Sequence, residues 1–209
     1  MLRAASSAGS AATRNSGRSA RFLLRVGPWL LLFVLFASFA IANVSAESRD
    51  DRRVRAGARL LRSLLAAEVA IESKAGRDGR LEVLILSSDA RAGNVLSQLI
   101  APSNSVDPAA IRGKLLHVSQ STRLPAKADG IVAIFLGTLP RDAEWDAIVR
   151  YAGEHRILLF SPFEGHVERG AHAGLSVEAK VLPYLNERAL SASGIELKPF
   201  FMRVAKVYR

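Results

Sequence analysis

Three short, strongly apolar runs constrain the fold of this chain more than any other feature: Leu81-Glu82-Val83-Leu84-Ile85-Leu86, Ile131-Val132-Ala133-Ile134-Phe135-Leu136 and Ile157-Leu158-Leu159-Phe160. A strand that is apolar on both faces must be covered on both faces, and that occurs almost only where helices flank a parallel sheet. The intervening segments fit this. Ser87-Ser88-Asp89 supplies a cap for a helix carrying Val95, Leu96, Leu99 and Ile100, which Pro102 ends. Leu115-Leu116-His117-Val118 reads as another strand, with His117 a core or sheet-face residue, and Pro140-Arg141-Asp142 opens a helix bearing Trp145, Ile148, Val149 and Tyr151. Strands alternating with helices in this way imply βαβ crossovers.

The two ends of the folded part read differently. Between Asp50 and Ile71, Val54, Ala58, Leu61, Leu64, Leu65, Ala67 and Ala70 recur at three- and four-residue steps, with Arg52, Arg53, Arg55, Arg59 and Arg62 on the other face, so an amphipathic helix with a solvated arginine face is expected. Lys74–Gly79 is a turn. Toward the C-terminus, Gly174–Ala179 and Lys180–Leu185 are adjacent short strands, with Pro183 tolerable only at an edge or bulge. Asn186 caps a short helix through Ala192, and Pro199 suits the first position of a last helical turn or two reaching Lys206. Phe200-Phe201 reads as core, the alternative being a dimer contact. The expectation is an α/β fold: one three-layer domain over 47–209 with a mostly parallel sheet and a C-terminal antiparallel hairpin at its edge.

Residues 1–46 have the pattern of a secretory signal. Arg3, Arg14, Arg18, Arg21 and Arg25 precede a stretch from Val26 to Ala46 with no ionisable side chain, and Val44-Ser45-Ala46 puts small residues before a cleavage point facing polar Glu47–Asp51. An uncleaved membrane anchor is the other reading, since about 20 apolar residues suffice to span a bilayer. Either way the arginines stay cytoplasmic and the rest is periplasmic or extracellular. The net charge of +10 then shrinks: residues 47–209 hold 24 Lys+Arg against 19 Asp+Glu. No basic track interleaved with aromatics marks a nucleic-acid surface. There is no cysteine, which excludes disulfides, thiol redox chemistry and cysteine-ligated metals.

Enzyme signatures are missing: there is no glycine-rich phosphate loop, no nucleophile elbow and no zinc-binding HExxH helix. One polar segment follows a strand, Ser161-Pro162-Phe163-Glu164-Gly165-His166-Val167-Glu168-Arg169-Gly170-Ala171-His172. Loops at the carboxyl ends of parallel strands are the usual ligand sites of α/β proteins. Phe163, Glu164, His166, Glu168, Arg169 and His172 are therefore the candidate partner- or ligand-binding residues, against the alternative of a solvated structural turn. Glu164, His166, Glu168 and His172 have ligand chemistry for a divalent ion, but their spacing matches no metal signature. No metal, cofactor or catalytic residue is assigned.

The order of elements and three local sequences resemble the YfiR/HmsC family of small periplasmic proteins. The likeness runs over about 53–207 and rests on the strand Leu81–Leu86, the segment Ala128-Asp129-Gly130-Ile131-Val132-Ala133-Ile134-Phe135-Leu136-Gly137, and Arg156-Ile157-Leu158-Leu159-Phe160-Ser161. A hairpin, Asn186, Ala192-Ser193-Gly194-Ile195 and Phe201-Met202-Arg203-Val204-Ala205-Lys206 follow in the same order. The resemblance implies a non-enzymatic regulator that binds the periplasmic domain of an inner-membrane sensor or diguanylate cyclase and keeps cyclic-di-GMP and biofilm formation low. The alternative is a periplasmic solute- or cell-wall-binding domain. Members often carry disulfides, and the absence of cysteine rules out a thiol switch here. The aromatic-rich end of the family's first helix is replaced by Leu64-Leu65-Ala66-Ala67-Glu68-Val69-Ala70-Ile71.

Overall fold

A computed structural model describes residues 49–102 and 109–209. The proposed leader, 1–46, lies outside the described residues, and among these no helix is long and apolar enough to cross a membrane. Helix α1 (49–67) buries Val54, Ala58, Leu61, Leu64 and Leu65, the stripe its periodicity predicts. Its backbone lies close on the sheet: a Cβ at Gly57 would come within 2.8 Å of the Phe160 ring. Arg52, Arg55 and Arg59 are exposed, but Arg53 is half-buried and donates from Nε to the Pro162 carbonyl at 2.9 Å. One of the expected solvent-facing arginines thus ties α1 to the segment after a central strand.

A 3-10 turn (Ile71–Lys74) leads to β1 (Leu81–Leu86), α2 (Ala90–Ile100), β2 (Ala110–Ile111), β3 (Lys114–Ser121), β4 (Ile131–Leu136), α3 (Asp142–Glu154) and β5 (Leu158–Ser161). Then come β6 (Ala173–Val177), β7 (Val181–Asn186), α4 (Glu187–Ala192), α5 (Pro199–Val204) and β8 (Lys206–Tyr208). The strands form one sheet in the order β2-β3-β1-β4-β5-β6-β7-β8. Strands β3, β1, β4, β5 and β6 are parallel neighbours, with Leu84 level with Ser119 on one side and Ile134 on the other. The sheet therefore grows outward from β1 in both directions, as in doubly wound folds.

Alternation along the strands divides the core. Leu81, Val83 and Ile85 face a large cluster with α1, α2, Leu190 and Phe201, whereas Leu84 and Leu86 join Ile134, Leu136, Leu159, Trp145 and Ile148 against α3. Three layers result. The caps sit where the sequence puts them: Asp89 accepts from the Arg91 and Ala92 amides, Asn186 from Ala189, and Pro199 opens α5.

The C-terminal part departs from expectation in detail. β6 is a fifth parallel strand, β7 turns back antiparallel to it, and β8 adds parallel to β7, so the hairpin lies next to the edge and β8 is the edge. β8 pairs only with Tyr184, Leu185 and Asn186, and Pro183 sits just beyond that ladder, where its missing amide hydrogen is tolerated. The other edge carries an antiparallel β2–β3 pair with no sequence forewarning. Phe201 is 5% exposed but Phe200 is 53% exposed, because consecutive helical residues point about 100° apart and only one can face the sheet. His117 is a sheet-face residue turned to solvent, not core.

Candidate functional site

The segment after β5 is polar in composition and inward-looking in structure. His172 is buried, its Nδ1 accepts from the Leu159 amide at 2.9 Å and its Nε2 lies 2.7 Å from Ser193 Oγ. Burial, reinforced by the nearby Lys74 charge, pushes its pKa down to about 4, so the neutral ring with the proton on Nε2 clips β5 to the end of α4. His166 is buried too. Its Nδ1 is 2.8 Å from Ser161 Oγ, its ring lies 4.2 Å from that of Trp145, and burial together with the Arg169 charge holds its pKa below the usual histidine range. Trp145 Nε1 donates to the Arg169 carbonyl, while the Arg169 guanidinium caps the same indole at 5.5 Å and pairs with Asp142 at 2.9 Å. Asn186 Nδ2 donates to the Val167 carbonyl. Gly170, at φ +109°, makes the turn that a side chain would strain.

The six residues singled out by sequence are thus divided. Phe163, Glu164 and Glu168 line a depression of about 250 Å³ shared with Arg53, Glu178, Tyr184 and Lys206. Glu168 accepts from the Tyr184 hydroxyl at 3.0 Å, and burial followed by that carboxylate pushes the phenol up to about 12. Arg169 is exposed but committed to Asp142 and Trp145. His172 has both ring nitrogens bonded and His166 its Nδ1, and both side chains are buried. Among the described residues no three His, Asp or Glu side chains gather as a metal site.

The larger hollow lies elsewhere. Sheet growth reverses between β1 and β4, and at the carboxyl ends of these strands the β3–β4 and β4–α3 connections line a crevice. The crevice there measures about 650 Å³. Leu86 and Leu136 end the two strands at its floor, Ile148 and Ala147 of α3 form one wall, and Leu124 the facing one. Its rim carries Ser87, Ser88, Thr122, Arg123, Thr138, Arg141 and Glu144.

The rim's electrostatics follow from local pairing. Glu144 takes the Arg141 guanidinium at 2.5 Å and its backbone amide at 3.3 Å, and those bonds hold its carboxyl below the usual range. Asp89 fills the amino end of α2 with its own carboxylate. Thr138 Oγ1 accepts from the Ser88 amide at 3.2 Å, joining the two post-strand turns. The Arg123 guanidinium makes no hydrogen bond or ion pair among the described residues. Composition does not single these residues out, since serine and threonine are ordinary in turns. The available signal was their position directly after the two most apolar strands, and it needed the strand order to be read.

A third buried group is the Glu68–Lys74 ion pair at the end of α1. Burial raises the Glu68 pKa against the opposing pull of Lys74, whose ammonium also donates to the Arg156 carbonyl at 2.7 Å.

No protein-family model and no curated protein matches this chain. Among solved structures, it is similar to the ABC domain in complex with L-Trp from Streptococcus pneumonia, at 11% identity and a TM-score of 0.43, covering 69% of this chain and 60% of that one. A conserved domain protein from Vibrio cholerae O1 biovar El Tor is similar at 14% identity and a TM-score of 0.45, covering 75% of this chain. The chain spans 60% of the length of each.

Proposed function

We propose that this chain is an exported, non-enzymatic regulatory domain that takes a small ligand at the β1/β4 crevice and acts on a membrane partner. The observation that carries the reading is the crevice itself, an open hollow at the switch point of a doubly wound sheet, where such folds bind ligands. The two serine–histidine pairs, Ser161–His166 and Ser193–His172, lie buried outside it and serve packing.

The partner is the periplasmic domain of an inner-membrane sensor or diguanylate cyclase, as the resemblance to the YfiR/HmsC family implies. The exposed side chains of Glu164, Glu168 and Arg169 form its contact face. Regulation then requires that the domain favour one state of the partner, and that ligand shift that preference. The test is deletion of the chain with measurement of cyclic-di-GMP, together with capture of the exported protein from membranes. A rise in cyclic-di-GMP and co-purification of a membrane sensor are expected; unchanged cyclic-di-GMP in the deletion strain overturns the reading. A solute-binding role without a partner is the second reading, favoured by a crevice volume within the small-molecule range of about 300–1,000 Å³.

A further inference from the structure

We infer that the crevice selects a monocarboxylate with an apolar body, an inference that rests on the ligand-binding reading above. The hollow has two chemical halves. Its floor and walls are aliphatic, and Leu139 stands on its lip 65% exposed, a position that water penalises and an apolar ligand would cover. The rim is polar and carries charge of one net sign. Arg123 and Arg141 face a single carboxylate, Glu144, which Arg141 already engages.

That imbalance fixes the ligand's charge. Among the described residues the Arg123 guanidinium has no anionic partner, so a single negative charge completes the rim. A cation meets the arginines, and a dianion meets Glu144 once Arg123 has been neutralised. The planar guanidinium of Arg123 matches a carboxylate with two parallel hydrogen bonds. The hydroxyls of Ser88, Thr122 and Thr138 also line the crevice, able to donate to the same head group. A ligand of acetate's size would leave Leu139 and the Leu124 wall uncovered, so the apolar body is part of the recognition.

The experiment is calorimetric titration of the mature protein, as cells export it, with 3-phenylpropionate, 3-phenylpropanol, 3-phenylpropylamine and acetate. The acid should bind about tenfold or more tightly than the alcohol, as a charge-assisted pair in place of a neutral one implies, with the amine and acetate weaker still. Arg123→Gln should bring acid and alcohol to equal affinity, while Leu139→Ala should weaken both by about threefold, the effect of a few lost methylene contacts. Both residues are exposed, so the variants should keep the wild-type melting profile, measured alongside. The inference is overturned if the alcohol or amine matches the acid, if Arg123→Gln keeps the preference for the acid, or if the acid does not bind at millimolar concentration. The regulatory reading fails separately, through unchanged cyclic-di-GMP on deletion, whichever probe the crevice takes.

Discussion

The segment 161–172 and the β1/β4 crevice stand at the same end of one sheet, yet they use polar residues in opposite ways. In the first, His166 with Ser161, Arg169 with Asp142 and Trp145, and Asn186 with the Val167 carbonyl bond within the fold and hold β5, α3 and β7 together. In the second, turn residues of ordinary composition line an open hollow, and among the described residues the Arg123 guanidinium has no bonded partner. A dense run of polar residues marks a site only if the fold leaves its groups unmet, because a buried polar group must be bonded and a bonded one is no longer available.

The contrast can be tested by its consequences for stability and binding. The largest effect is expected for Trp145→Ala, which empties the centre of the first region and leaves the Arg169 carbonyl unpaired. A loss of about 3–5 kcal/mol in urea unfolding is expected. A loss below about 1 kcal/mol would mean that the segment is not the structural knot described here.

Acid should act next. His172 has a folded-state pKa lowered to about 4, so the unfolded chain binds more protons between the ordinary value of 6.5 and 4, and stability falls as pH falls through that window. The loss reaches up to about 3 kcal/mol at one pKa unit per 1.36 kcal/mol. His166 adds in the same direction, whereas Glu68, whose pKa is raised, takes up its proton more readily when folded and offsets part of the loss. Unfolding curves at pH 7 and 4.5 should diverge in the wild type. They should diverge less in His172→Leu, which cannot titrate; an equal divergence would remove His172 from the account.

Arg169→Ala should be mild, about 1 kcal/mol or less, since its ion pair with Asp142 is half-exposed and its contact with Trp145 lies at the surface. If capture of the membrane partner weakens in that variant while the melting curve barely moves, the exposed edge of the segment is a contact face; undiminished capture would confine it to packing. Leu139→Ala should change stability least, within about 0.5 kcal/mol, as expected for an exposed side chain. A large destabilisation there would mean that the crevice lip supports the core, and the opposition between the two regions would dissolve.

Much of the fold was legible because its signals are local. The doubly apolar strands, the Asp89 and Asn186 caps, Pro199 at a helix start and the apolar stripe of α1 each depend on a few neighbouring residues, and each occurs as expected. Weaker local signals misled. Phe200 and Phe201 look alike in the chain and separate only when helix phase is set by docking, and β8 is too short to carry its own pattern. The crevice contains none of the candidate binding residues singled out in the sequence. Phe163, Glu164 and Glu168 do share a surface hollow, while His166 and His172 have the chemistry of ligands and the environment of core.

By itself, the sequence determined the central strands and the main helices, that the sheet is mainly parallel, that cysteine chemistry is absent, and that a long uncharged apolar stretch precedes the folded part. The tertiary structure decided the strand order, and with it the place where two connections diverge and leave a crevice. It also decided which polar groups are spent on one another. Both depend on contacts between residues far apart in the chain, since Ser87, Arg123 and Thr138 meet only because β3 and β4 flank β1.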